Sequence, residues 1–223
     1  MNDSLISKNF FNENIIINEN EVYPMVVMAT MSSGKSTLIN ALLGQQILPS
    51  RNEACTAKMY SILDDDQANE TKIFVTYTNG ETVVKEEDVA TELEKANNDD
   101  EVTDILIRGH VKGVLNTDKA LLIVDTPGPN NSRDESHQQV MLDVLKKING
   151  GLILYVLNAT QLGINDDKKL LSIIRDYIKE NSKVSVLFVI NKVDQLDEER
   201  DESVGQLVVM ANEYLKENGI VSP

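Results

Sequence analysis

Ala29-Thr30-Met31-Ser32-Ser33-Gly34-Lys35-Ser36-Thr37 joins an apolar run, residues 22–28 with Pro24 inside it, to a helix-like pattern of Leu38, Ile39, Ala41 and Leu42. A strand feeding a glycine-containing turn that opens a helix is the context in which Gly-Lys-Ser means phosphate binding. Backbone N–H groups of Ser32, Ser33, Gly34 and the first helical residues, Ser36 and Thr37 among them, surround the phosphate in such a loop. Lys35 adds a mobile positive charge against the β- and γ-phosphates, and Ser36 offers its hydroxyl to Mg2+. The usual loop of this kind begins with Gly, whereas this chain has Ala29. Its methyl group fits if the backbone there has ordinary negative φ. The alternative is a chance Gly-Lys-Ser at a helix start.

Working outward, Asp125-Thr126-Pro127-Gly128 follows the apolar residues 120–124. A carboxylate at a strand end can hold a magnesium-bound water, and the Gly128 amide can meet the γ-phosphate. The competing reading is a turn cap, since Asp and Pro-Gly are common turn chemistry. Thr56 lies 21 residues after Lys35, at a distance where a loop threonine supplies a second hydroxyl to Mg2+ and its carbonyl positions an attacking water. A β-branched residue opening a strand would look the same locally. Neighbouring Cys55 has no activating base in sequence and reads as a small buried side chain.

The third motif makes the site one for guanine. Residues 184–190 form an apolar strand that delivers Asn191-Lys192-Val193-Asp194 to its carboxyl end, where open α/β sheets bind ligands. The Asp194 carboxylate accepts from guanine N1–H and the exocyclic amine, neither of which adenine offers. Asn191 braces the loop or approaches the O6/N7 edge, and the Lys192 stem covers the base. An N-cap is the plainer use of Asp194, although Asp197 can fill that need. The three motifs together predict GTP as ligand and substrate.

Composition narrows the rest. A chain of 223 residues, 41% hydrophobic, suits one α/β domain with a substantial core. No apolar run approaches the roughly 20 residues that span a bilayer, and the polar N-terminus does not resemble a signal peptide. One cysteine excludes an internal disulfide framework, and two histidines argue against a histidine-rich metal centre. A net charge of −15 supplies no basic stripe, so direct nucleic-acid binding is not expected.

Residues 1–21 read as an N-terminal arm with apolar patches at Phe10-Phe11 and Ile15-Ile16-Ile17, and residues 22–223 as the domain. Strands are expected at 22–28, 57–63, 72–77, 102–111, 120–124, 151–157 and 184–190, and helices at 35–43, 86–96, 135–147, 166–180 and 201–217. This alternation predicts an α/β fold with a mostly parallel, doubly wound sheet covered on both faces. Asn79-Gly80 signals a hairpin, and the acidic residues 86–101 read as a solvated excursion. After the last helix, ended by Asn218-Gly219, a further strand and the loop finishing the guanine pocket are expected and not found.

These strings resemble the GTPase domain of bacterial dynamin-like proteins, over roughly residues 22–217. Ala29 through Leu42, Asn40 included, Leu48-Pro49-Ser50 through Thr56, Asp125 through Asn131, and Asn191 through Asp194 carry the resemblance. It favours dynamin-like proteins over translation or small signalling GTPases. It implies a P-loop NTPase three-layer α/β/α fold and Mg2+-dependent hydrolysis of GTP to GDP and phosphate. It further implies a homodimer formed across the nucleotide faces. Ser32, Lys35 and Thr56 would be catalytic, with K+ or Na+ compensating developing charge in place of an arginine finger. Met31 stands where eukaryotic dynamins often have Gln, and a thioether neither donates nor accepts as an amide does. Stalk and membrane contacts belong to regions outside this chain. The domain is expected in the cytoplasm, with the full-length protein peripheral to the inner face of the membrane. Two other readings stay open: a GTP-controlled interaction module with little turnover, and a non-dynamin regulatory GTPase.

Overall fold

The computed structural model describes residues 21–48, 58–85, 88–111, 114, 118–126, 135–147, 150–196 and 203–220; the side chains of residues 135–140 and 165 are also left out. Strand β1 (Val22–Ala29) is an interior strand of an eight-stranded sheet. Both of its faces are apolar, as a strand buried on both sides requires. Val26 and Met28 enter one core while Val27 and Ala29 enter the other.

The elements follow as α1 (Lys35–Leu43), β2 (Met59–Asp64), β3 (Lys72–Tyr77), β4 (Thr82–Lys85), α2 (Val89–Asn97), β5 (Val102–Gly109), β6 (Ala120–Asp125), α3 (Glu135–Lys147), β7 (Gly151–Asn158), α4 (Asn165–Glu180), β8 (Val184–Asn191) and α5 (Val204–Glu217). The sheet order is β4-β3-β5-β2-β6-β1-β7-β8. The half from β6 through β1 and β7 to β8 is wholly parallel. β2 runs antiparallel to β6 and parallel to β5, and β3 runs antiparallel to both β4 and β5. The mixed half begins where the chain reverses direction.

Two layers of helices bury the sheet. Met141 and Leu145 of α3, Leu170 and Ile174 of α4, and Ala211 and Leu215 of α5 pack on the face carrying Val26, Tyr155 and Leu157. Ile39 and Leu43 of α1, with Leu93 and Ala96 of α2, pack on the face carrying Val27, Leu154 and Val156. The period of two along β7 thus divides the cores. This is the three-layer α/β/α architecture expected from the sequence.

Pro24 is unusual inside a central strand, because it cannot donate to a ladder. Its place explains the exception: β7 pairs with β1 only from Met25 onward, in the pair Met25–Leu152. Gly151 faces Pro24 at that point, and a Cβ there would lie 2.3 Å from the Pro24 carbonyl oxygen. The proline therefore occupies the last position before the β1–β7 ladder begins.

The helix expected at residues 86–96 forms as α2, residues 89–97, capped by Asp88, whose carboxylate accepts from the Thr91 N–H at 3.0 Å. Glu94 stays exposed as a solvated excursion requires, but one face of the helix does not. Leu93 and Ala96 are buried against the sheet, as is Glu92, which Lys95 neutralises at 2.6 Å. Buried Lys58 donates to the carbonyls of Ala96 and Asn97, each at 2.7 Å, and of Asp99 at 2.8 Å. It thereby closes the carbonyl end of α2. Asn79-Gly80 turns between β3 and β4 as the hairpin signal requires, with the Gly80 N–H donating to the Tyr77 carbonyl at 2.9 Å. The last helix starts later than expected, at Val204, where Ser203 and Gln206 form a reciprocal capping box. It ends at Asn218-Gly219, and the Ile220 N–H donates back to the Leu215 carbonyl at 2.9 Å. Among the described residues β8 is one edge of the sheet, and no helix is long and apolar enough to cross a membrane.

Candidate nucleotide site

The carboxyl ends of β1, β6 and β8 bring the three motifs to one end of the sheet. β1 and β6 are neighbours with Val27 beside Asp125, so the turn after Ala29 rises next to the Asp125 carboxylate. Ala29 is the last residue of β1, is 2% exposed, and is not among the positive-φ residues. Alanine therefore fits there without strain. Further along the turn, Ser32 adopts φ 59° and Gly34 adopts φ 81°, the latter as the residue before α1.

Side chains lock the loop from within and from across the sheet. The Ser33 hydroxyl, 1% exposed, donates to the Thr30 carbonyl at 2.8 Å. Asn191, at the end of β8, donates from Nδ2 to the Ser33 carbonyl at 2.9 Å. That amide nitrogen lies 2.4 Å from where a Cβ on residue 34 would stand. Gly34 is thus required twice, by its left-handed φ and by the close approach of Asn191. Asn191 braces the phosphate loop, one of the two roles its position allowed.

Lys35 and Ser36 converge on one carboxylate. The Lys35 ammonium donates to Asp125 Oδ1, and the Ser36 hydroxyl to Oδ2 at 3.3 Å. The ion pair is largely sequestered, with side-chain exposures of 13% and 8%. The structure therefore joins a helix N-terminus, a mobile cation, a hydroxyl and a carboxylate within one contact network. Ser36 and Asp125 are hard oxygen donors, a set that suits Mg2+ with waters completing its shell. Thr37 is exposed one residue further along α1.

Past β8, Lys192 takes φ 63° and precedes a short 3-10 turn, Val193–Gln195, that contains Asp194. Asp194 is exposed within that turn and is not its N-cap. The Lys192 Cε lies 3.9 Å from the same Cβ position on residue 34, so its stem runs over the phosphate loop. Thr56, Gly128, Cys55 and Asp197 lie outside the described residues.

Two supports were not marked by the sequence reading. Buried Asn40 in α1 donates to the Leu48 carbonyl at 2.7 Å and accepts from the N–H groups of Ile47 and Leu48. It fixes Ile47 and Leu48 against α1. Thr126 donates its hydroxyl to the Val27 carbonyl at 2.9 Å, tying the exit of β6 to β1. Both residues stood inside quoted strings, but a buried amide and a buried hydroxyl have no spacing that distinguishes them from exposed ones.

The sheet order and this loop together define a P-loop α/β/α domain of the G-domain kind. Residues 25–193 match the model of the Dynamin family, and the chain belongs to that family. It is 28% identical over 188 residues to a bacterial dynamin-like protein of Nostoc punctiforme, covering 79% of this chain and 26% of that protein. It is 30% identical over 106 residues to GTPase Era of Fusobacterium nucleatum subsp. nucleatum, covering 45% of this chain and 33% of that protein. An oligomerised bacterial dynamin pair, described as a mechanism for long-range sensing and tethering of membranes, superposes with a TM-score of 0.65. That likeness, at 19% identity, covers 89% of this chain and 31% of the other, and shows the shared fold. This chain spans a quarter to a third of the length of these relatives.

Proposed function

We propose that this chain binds GTP with Mg2+ and hydrolyses it to GDP and phosphate, assisted by nucleotide-dependent pairing of two such domains. The observation that carries the reading is the convergence of Lys35 and Ser36 on Asp125 beside a loop braced by Asn191. Lys35 exchanges its carboxylate partner for phosphate oxygens, whose charge is stronger and spread over more acceptors. Ser36 and Asp125 would hold Mg2+, which supplies charge neutralisation on the triphosphate when bound. Backbone N–H groups from Ser33 through Thr37 face the phosphates at the start of α1, where the helix dipole favours negative charge.

In hydrolysis a water oxygen bonds to the γ-phosphorus, the bond to the β–γ bridging oxygen breaks, and the water proton passes to the phosphate product. Negative charge gathers on the bridging oxygen, and the family resemblance assigns its compensation to Ser32 with K+ or Na+. Ser32 is exposed at φ 59°, on the face where a second domain would dock. The same resemblance assigns Thr56 to the water and metal, and Gly128 to the γ-phosphate. Asp194 reads guanine by accepting from N1–H and the amine, while Lys192 covers the base.

Calorimetric titration with GTP, GDP and ATP at one Mg2+ concentration tests the base assignment. GTP and GDP are expected to bind at least about tenfold more tightly than ATP, since a carboxylate facing adenine N1 gains no donor. Equal affinity for ATP and GTP overturns it. Met31 favours one alternative: it is 48% exposed at the loop and cannot hold a water by an amide. That alternative is a GTP-controlled interaction module, which binds GTP yet releases no phosphate even at high protein concentration with K+.

A further inference from the structure

We infer that Asp64, Asp66 and His110 form a second metal site, for a divalent ion of the zinc class, at the end of the sheet opposite the phosphate loop. The inference is independent of the nucleotide reading. β2 runs antiparallel to β6, pairing Tyr60 with Asp125 and Leu63 with Leu122. Asp64 is therefore four residues along β2 from the rung of Asp125, a distance of about 13 Å at roughly 3.3 Å per residue.

The topology brings the three side chains together. β2 and β5 run parallel, and their last paired residues are Asp64 and Gly109. Beyond that rung β5 delivers His110, and β2 enters a tight turn in which the Ala68 N–H donates to the Asp65 carbonyl at 3.0 Å. That turn folds Asp66 back toward β5. His110 Nδ1 then lies 3.2 Å from Asp66 Oδ1 and 3.8 Å from Asp64 Oδ1. One donor atom from each of the three residues lies within 4.8 Å of the other two.

The middle aspartate is spent elsewhere. Arg108 engages Asp65 Oδ2 through Nε and Nη2, each at 2.8 Å. The two flanking carboxylates both face His110 Nδ1. Asp64 is held rigidly: its side chain is 1% exposed and its Oδ1 accepts from the Val111 N–H at 2.8 Å. Asp66 and His110 are 41% and 50% exposed, which leaves a path for an ion and for waters.

The donor set selects the class of ion. Carboxylates alone recur on protein surfaces without any ion, and they suit Mg2+ or Ca2+. An imidazole nitrogen beside two carboxylates suits Zn2+, Co2+ or Ni2+ instead, with water completing the coordination. The ordinary alternative is an ion pair in which His110 Nδ1–H donates to Asp66. The metal reading ties the ends of β2 and β5 into one clamp.

An untagged full chain in excess Mg2+, titrated with ZnCl2 by calorimetry and with CoCl2 by visible absorption, separates the readings. One equivalent of Zn2+ is expected to bind, and Co2+ to develop d–d bands. His110→Gln and Asp66→Asn, both at exposed positions, are each expected to weaken binding at least about tenfold, the size of even an outer-shell change. Asp125→Asn is expected to leave the Co2+ spectrum unchanged. Absence of binding in the natural chain, or unchanged affinity in both His110→Gln and Asp66→Asn, overturns the proposal. So does loss of the signal in Asp125→Asn alone, because the ion would then belong to the phosphate loop.

Discussion

Gly34 and Lys35 stand side by side and contribute by different physics. Lys35 contributes charge, whereas Gly34 contributes space and a left-handed backbone. Lys35→Ala is expected to weaken GTP binding at least about tenfold, since a charge-assisted hydrogen bond is worth roughly 1.5–3 kcal/mol. Gly34→Ala faces φ 81° and an Asn191 nitrogen 2.4 Å from the new methyl group. It is expected to cost about 1–3 kcal/mol of stability through backbone strain alone, and to disturb the loop as well. Denaturant titration beside nucleotide calorimetry checks the contrast. Unchanged GTP affinity in a folded Lys35→Ala protein, verified by circular dichroism, would remove the phosphate assignment. A Gly34→Ala protein as stable as the parent would show that Asn191 does not hold the loop.

Between elements, the contact of β7, α4 and α5 buries a polar group in an otherwise apolar core. Tyr155 of β7 donates its hydroxyl to Asp167 Oδ1 of α4, and the Tyr214 hydroxyl of α5 is buried beside the same carboxylate. Burial pushes the Asp167 carboxyl above the ordinary 3.8, against the opposing effect of the Tyr155 hydrogen bond. Burial and the neighbouring carboxylate push both phenols up, so they stay neutral. The folded state then holds a proton on Asp167 more tightly than the unfolded chain does. This contribution to stability is complete below pH 3.8 and is lost as pH rises through the raised folded value. Asp167→Asn keeps a polar side chain without the ionisation. It is expected to raise the melting temperature at neutral pH and to flatten the decline between mildly acidic and neutral pH. Parallel curves for the two proteins across that range would contradict the assignment.

For the whole molecule, the phosphate loop, the Asp125 carboxylate and the Asn191 turn open at the carboxyl end of the parallel strands, with Ser32 and Met31 exposed there. A partner docked on that face would bring Ser32 and Thr56 to bear on the γ-phosphate. Specific GTP hydrolysis by the intact protein is therefore expected to rise with protein concentration, more in K+ or Na+ than in a buffer of large organic cations. Light scattering is expected to report pairing with GTP and none in the nucleotide-free control. A constant specific rate from a protein that stays monomeric with GTP would eliminate dimer assistance and leave simple hydrolysis standing.

Local chemistry in the sequence determined much of this protein. Gly-Lys-Ser after an apolar run marked the loop, Asn79-Gly80 marked the β3–β4 turn, and the continuous apolar run of residues 151–157 marked a strand of a sheet covered on both faces. Each signal is carried by neighbours in the chain, so spacing alone reveals it. Tertiary structure decided what depends on distant partners. The acidic pattern of α2 did not show that Glu92 would be buried with Leu93 and Ala96, or that Lys58, 38 residues before Ala96, would close the helix by donating to its last carbonyls. Pro24 is tolerated only because β7 begins one rung later. Gly34 owes its necessity to Asn191, 158 residues after Ser33, and Asp64 meets His110 only because β2 and β5 end together. A sequence records which groups a chain possesses. Which of them share a low-dielectric contact is fixed by the strand order, and that order follows from burying both faces of the sheet at once.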